Sequence, residues 1–273
     1  MNALRWRSRL LLLCLVTLPF VLLIPASSQE DTSIRVLFMH HSTGLGLIEQ
    51  GGLREGLAEY ALELWDHGYN GEGLTDGSGE HLGINWEVPD DNTDPIGWFN
   101  IFNQDVTEPP ENTLSHMLDF PVILFKSCFP SSNIESDEQF EEYRDYFLSI
   151  RDVIDQYPDH LFIPFTTPPL VPNETSPEAA ARAREWASYL TSDEYTEDRP
   201  NIAVFDFFSA LADENGYLRE EYRADEWDSH PNEIANQEVA ALLVEFVVSV
   251  VEKFDFEGGA GIIHANVILE DIS

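Results

Sequence analysis

Residues 34–44 read IRVLFMHHSTG: a run that is apolar except at Arg35, then two histidines, a serine, a threonine and a glycine. Apolar character without alternation marks a strand buried on both faces, as in a sheet covered by helices. Three further runs share it: Pro121–Lys126, Leu161–Phe165 and Ile202–Phe207. A short strand near Ile84–Val88 is expected to complete the sheet.

Helical patterns fall between these runs. Leu45–Trp65 carries Leu47, Leu53, Leu57, Ala61 and Leu64 on one side. Ser136 caps a second helix, in which Phe140, Tyr143, Phe147, Ile150 and Ile154 recur at helical spacing until Tyr157-Pro158 ends it. Ser176 and Pro177 open a third, an N-cap followed by an N1 proline. Pro231–Phe254 is the last and most apolar. Strands alternating with helices predict an α/β fold: a three-layer, doubly wound, mostly parallel sheet of about five strands with helices on both faces.

The first 28 residues do not belong to that fold. Arg5, Arg7 and Arg9 precede an apolar run from Leu10 to Ile24, and Ala26-Ser27-Ser28 follows. This is the pattern of a signal peptide, and it predicts a secreted or extracytoplasmic protein. An uncleaved N-terminal anchor is the alternative, although the run is short beside the ~20 residues of a membrane span. Residues 29–256 form the expected domain, and 257–273 are an extension of unassigned role. Past the leader Cys128 is the only cysteine, so no disulfide forms within the chain.

The chain has 50 Asp plus Glu against 14 Lys plus Arg, a formal charge of −36, and its only lysines are Lys126 and Lys253. Such a surface repels phosphate backbones and anionic lipid, which argues against nucleic-acid partners and against membrane binding once the leader is gone. It suits a saline or acidic habitat and equally a soluble secreted protein. Residues 66–119 are rich in Gly, Asp and Asn and, with Trp65 at their edge, carry Trp86 and Trp98. Their aromatics either stack sugar rings or close the core of a long loop.

Ligands of open α/β sheets bind beyond the carboxyl ends of the strands. His40-His41-Ser42-Thr43-Gly44 lies there after the first strand, and Asp228-Ser229-His230-Pro231-Asn232 precedes the last helix. A serine at a strand-to-helix turn sits beside free helix N–H groups. It becomes a nucleophile when an imidazole takes its proton. Ser42 and His230 are the candidates, with Asp228, two residues before the histidine and on the same side of an extended segment, to orient it. Asp225 or a backbone carbonyl are alternatives for that last role.

In order and spacing these segments resemble the SGNH (GDSL-like) hydrolase superfamily, esterases and acyl-group enzymes on a flavodoxin-like sheet. The resemblance spans nearly all of residues 34–252. HHSTG stands where that family has its Gly-Asp-Ser block, mapping the nucleophile onto Ser42, and DSHPN is similar to its Asp-x-x-His block, mapping the base onto His230. The resemblance implies two further oxyanion donors. The second-block glycine maps onto Gly97, and the third-block asparagine would fall on Lys126-Ser127-Cys128, which leaves Ser127, Lys126 or the downstream Asn133 to donate. The expected activity is ester hydrolysis on a small-molecule or acylated carbohydrate substrate, without a cofactor. Two other readings stay open: a metal-dependent hydrolase using His40 and His41 with Asp228 and His230, and a non-catalytic carbohydrate- or surface-binding protein on a degenerate version of the fold.

Overall fold

The computed structural model describes residues 33–89, 94–254 and 256, so the expected leader and the 257–273 extension lie outside the described residues. In chain order it gives β1 (Ile34–Met39), α1 (Ser42–Glu49), α2 (Leu53–Ala58), β2 (Leu62–His67), β3 (Leu74–Thr75), α3 (Pro95–Phe102), α4 (Thr113–Met117) and β4 (Val122–Phe125). Then come α5 (Asp137–Ile154), β5 (Leu161–Pro164), α6 (Pro177–Leu190), α7 (Asp193–Thr196), α8 (Phe207–Leu211), β6 (Arg223–Asp225), β7 (Asp228–Pro231) and α9 (Glu233–Lys253). Among the described residues the main sheet has five strands in the order β3-β2-β1-β4-β5, parallel throughout except for β3.

Each buried strand feeds two cores because its side chains alternate between faces. Val36, Phe38, Leu62, Leu64, Val122, Leu124 and Ile163 pack with Leu47, Leu53 and Leu57 and with the Val239–Leu243–Val247 stripe of α9. Leu37, Met39, Ile123, Phe125 and Phe162 face the other way, onto Trp98 and Phe102 of α3, Phe147 and Ile150 of α5, and Trp186 of α6. The caps form as expected: the Ser136 and Ser176 side chains accept from the amides of Gln139 and Ala179. α9 is long and apolar enough to cross a membrane by length and composition. It nevertheless turns a fully buried stripe to the sheet.

Three expected elements differ. The single helix over Leu45–Trp65 is α1, α2 and the strand β2. Gly51-Gly52 separates the helices, with Gly52 at φ +70°. Leu64 keeps a helix's spacing from Leu57 and Ala61 and a strand's period of two from Leu62, and the free edge of β1 recruits the strand. The strand expected near Ile84–Val88 does not form: Ile84 is exposed, and β3 lines β2 instead. The run Ile202–Phe207 lies along β5 but joins it only by isolated parallel bridges, Phe162 with Ile202 and Phe165 with Phe205. Between them on β5 stands Pro164, which has no N–H to continue the ladder.

Candidate active site

β1 ends at Met39, and its chain direction carries straight into α1, with His41 in extended conformation as N-cap and Ser42 as first helical residue. The close approach of helix to strand end depends on Gly44, where a Cβ would stand 2.3 Å from the His40 Cβ. His230 arrives from the other end of the sequence on β7, which pairs antiparallel with β6 in a small separate hairpin. Its Nε2 lies 2.9 Å from Ser42 Oγ, across 188 positions of chain. Its Nδ1 lies 2.5 Å from Asp228 Oδ1, which also accepts the His230 backbone N–H at 3.0 Å. A carboxylate only accepts, so the ring proton sits on Nδ1, and Nε2 offers a lone pair to the Ser42 hydroxyl. The His230 backbone N–H, followed by its ring, holds the Asp228 carboxyl below the usual aspartate range. Asp225, the alternative acid, instead accepts the Trp227 N–H of the hairpin turn.

The other oxyanion donors expected from sequence are engaged elsewhere or buried. Gly97 is buried in the first turn of α3, and its N–H is given to Asp94 Oδ1 at 2.8 Å. It is not a free donor, because the fold makes this segment a capped helix rather than an open loop. Asn133 is also engaged: its amide donates to Glu135 Oε1 and its carbonyl accepts from Thr175 Oγ1. Ser127 Oγ is buried without a hydrogen-bond partner and has no surface that a substrate oxygen could touch. Lys126 is 1% exposed and directs Nζ to Ser127 O and Cys128 Sγ at 3.4 and 3.8 Å. Burial pushes its amine well down from the usual lysine value, against the opposing pull of Cys128. The donors that remain near Ser42 are the first amides of α1, which have no partner within the helix.

No family model matches the chain, and no curated protein matches it. Among solved structures, the chain is similar to a GDSL-like lipase. That protein is from Bacteroides thetaiotaomicron, with 11% identity over 80% of this chain and 88% of that one, and a TM-score of 0.48. The catalytic domain of a peptidoglycan O-acetyltransferase from Streptococcus pneumoniae is similar at 11% identity over 81% and 96% of the two chains, with a TM-score of 0.45.

The two histidines before Ser42 do not converge on His230. His40 directs Nε2 to Asp66 at 3.1 Å and Nδ1 to the His41 carbonyl at 3.0 Å, and Asp66 is paired on its other oxygen with Arg54. Burial alone would raise the Asp66 carboxyl, but the His40 bond and the charges of His40 and Arg54 hold it below the usual range. His41 stacks on Tyr69 with ring centroids 4.0 Å apart. Among the described residues no group of three or more His, Cys, Asp or Glu side chains gathers as metal ligands would. Phe129, which sequence reasoning passes over, meets the His230 ring edge-on with centroids 4.8 Å apart. Nothing local in Cys128-Phe129-Pro130 signals that contact.

Proposed function

We propose that the protein is an exported serine esterase or acyl-group hydrolase of the SGNH (GDSL-like) type, with Ser42 as nucleophile, His230 as base and Asp228 as orienting acid. The observation that carries this reading is the continuous path from Ser42 Oγ to His230 Nε2 at 2.9 Å and from His230 Nδ1 to Asp228 at 2.5 Å. The Ser42 oxygen attacks the ester carbonyl as its proton passes to Nε2. The oxyanion forms against the amides of Ser42 and Thr43 at the positive end of α1. Collapse expels the alcohol, which leaves with the proton from Nε2. Water repeats the sequence on the acyl-serine and releases the acid. A small-molecule or carbohydrate ester is the proposed substrate, and no cofactor takes part.

Incubating the purified protein with a fluorophosphonate probe and with a panel of acyl esters tests the reading. The wild type should label at Ser42 and hydrolyse at least one ester, and Ser42→Ala should do neither while remaining folded. Full activity in Ser42→Ala would overturn it, and activity lost on chelation and restored by Zn²⁺ would move it to the metal-dependent alternative. The engaged N–H groups of Gly97 and Asn133 favour one other reading, a non-catalytic carbohydrate- or surface-binding protein on a degenerate version of the fold. A wild type that neither labels nor hydrolyses any ester would support it.

A further inference from the structure

The hairpin that carries His230 is too small to fix a catalytic distance alone. β6 and β7 span three and four residues, with a register irregularity between Arg223 and Asp225. A two-stranded ribbon of this kind is at best marginal in water, yet reacting groups must be held to within ~0.5 Å. Something outside the hairpin must therefore hold it.

Burial along β7 alternates, with Asp228 and His230 half-buried on the site face and Ser229 and Pro231 buried behind. Ser229 is 0% exposed, and its hydroxyl is used in both directions: it accepts the Val171 N–H at 2.9 Å and donates to the Glu174 carboxylate. Both partners belong to residues 166–175, the Pro-rich segment after β5. The same segment ties the hairpin turn at one more point and the chain leading into it at another. Asn173 Nδ2 donates to Glu226 O in the turn at 2.9 Å, and Leu218 N–H donates to Leu170 O at 2.9 Å. Its other side holds the 3-10 turn Phe129–Ser132, through Ser132 Oγ to Pro168 O and Thr175 Oγ1 to Asn133 Oδ1, each 2.8 Å. That turn supplies the Phe129 ring that walls His230. One strap thus grips the imidazole's own strand and the aromatic ring beside it.

We infer that Ser229, held by the Val171 amide and the Glu174 carboxylate, is a positioning residue that sets the alignment of His230 with Ser42 and Asp228. This rests on the proposed roles of those three residues. Ser229 touches no substrate and acts only through its two neighbours in sequence. Its side chain is the tie point between the acid and the base.

The test uses the full chain and the variants Ser229→Ala, Glu174→Ala and Glu174→Gln. Its readouts are kcat and KM on p-nitrophenyl acetate, and the downfield proton signal of the His230 Nδ1–H. Ser229→Ala should lower kcat by about 10–100-fold while KM stays within about twofold, as expected of a misplaced base. The Nδ1–H signal should shift or broaden. Glu174→Ala, at an exposed side chain that does not threaten folding, should reproduce both changes, and Glu174→Gln, which keeps an acceptor oxygen, should restore most of the rate. A folded Ser229→Ala or Glu174→Ala protein with unchanged kcat and an unchanged signal would overturn the inference. If the wild type hydrolyses no ester, the proposed function fails instead. The Nδ1–H signal still decides the brace: altered in the variants it stands, unaltered it falls.

Discussion

At the scale of single residues, the site turns on which nitrogen of His230 carries the proton. Asp228 settles it by accepting from Nδ1, and the spacing of two positions lets the same oxygen take the His230 backbone N–H. A carboxamide at 228 could turn its NH2 toward Nδ1 and favour the other tautomer, placing a proton on Nε2 where a lone pair is needed. Asp228→Asn should therefore cut kcat by about two to four orders of magnitude with little change in KM. Steady-state kinetics on a folded variant checks this. A rate near wild type would leave the proposed base without a carboxylate requirement. Lys126 poses a different residue-scale problem: a buried amine directed at the Ser127 carbonyl and the Cys128 sulfur.

At the scale of elements, the decisive contact is α1 against the end of β1. Ser42 reaches His230 because the first helical turn lies almost on the base of the His40 side chain, and only a residue without Cβ allows it. Gly44→Ala would drive a methyl against His40 Cβ at 2.3 Å and Cγ at 2.8 Å, both atoms fixed close to the main chain. The helix must then move. Overpacking of this kind costs about 1–3 kcal/mol of stability. The accompanying shift of Ser42 should lower kcat by about tenfold or more. Denaturant melts and kcat measured together check the prediction, and a variant with wild-type values for both would show that α1 has room to spare.

At the scale of the whole molecule, charge dominates. A formal charge of −36 sets carboxylates against one another over the surface, and self-repulsion destabilises the compact state. Raising the salt shortens the screening length from ~10 Å at 0.1 M to ~3 Å at 1 M. If relief amounts to ~1–2 kcal/mol, Tm should rise by about 2–8 °C between those conditions. Acid acts in two directions. Protonating crowded surface carboxylates relieves repulsion, so stability should first climb as pH falls from neutral. Asp66 and Asp228 work oppositely: both sit below their ordinary value of 3.8 in the folded chain, so the unfolded chain takes up those protons first. Their contribution is present above that value and is lost as pH drops through the lower folded ones. Thermal melts across pH and salt should show a maximum in mild acid and a collapse below about pH 3.8. A Tm indifferent to salt would mean the acidic groups are spaced widely enough not to interact.

Local signals in the sequence were enough for β1, β4 and β5, for the Ser136 and Ser176 caps, and for the layered α/β class. Apolar runs, hydroxyl caps and prolines act over a few residues and need no distant partner. They also bring Ser42 to the end of the first strand and His230 to the start of the last helix. What they could not decide depends on partners far away in sequence. β2 exists because β1 offers an unpaired edge to Leu62–His67, and a period that suited either structure left the choice to that edge. The Ile202–Phe207 run pairs only in part because a proline stands in the strand beside it. Asn133 Oδ1 meets the Thr175 hydroxyl, 42 positions away, only in the fold. The 2.9 Å between Ser42 and His230 is the clearest case, since no residue between them encodes it. It follows from stacking strand, helix and braced hairpin on one sheet.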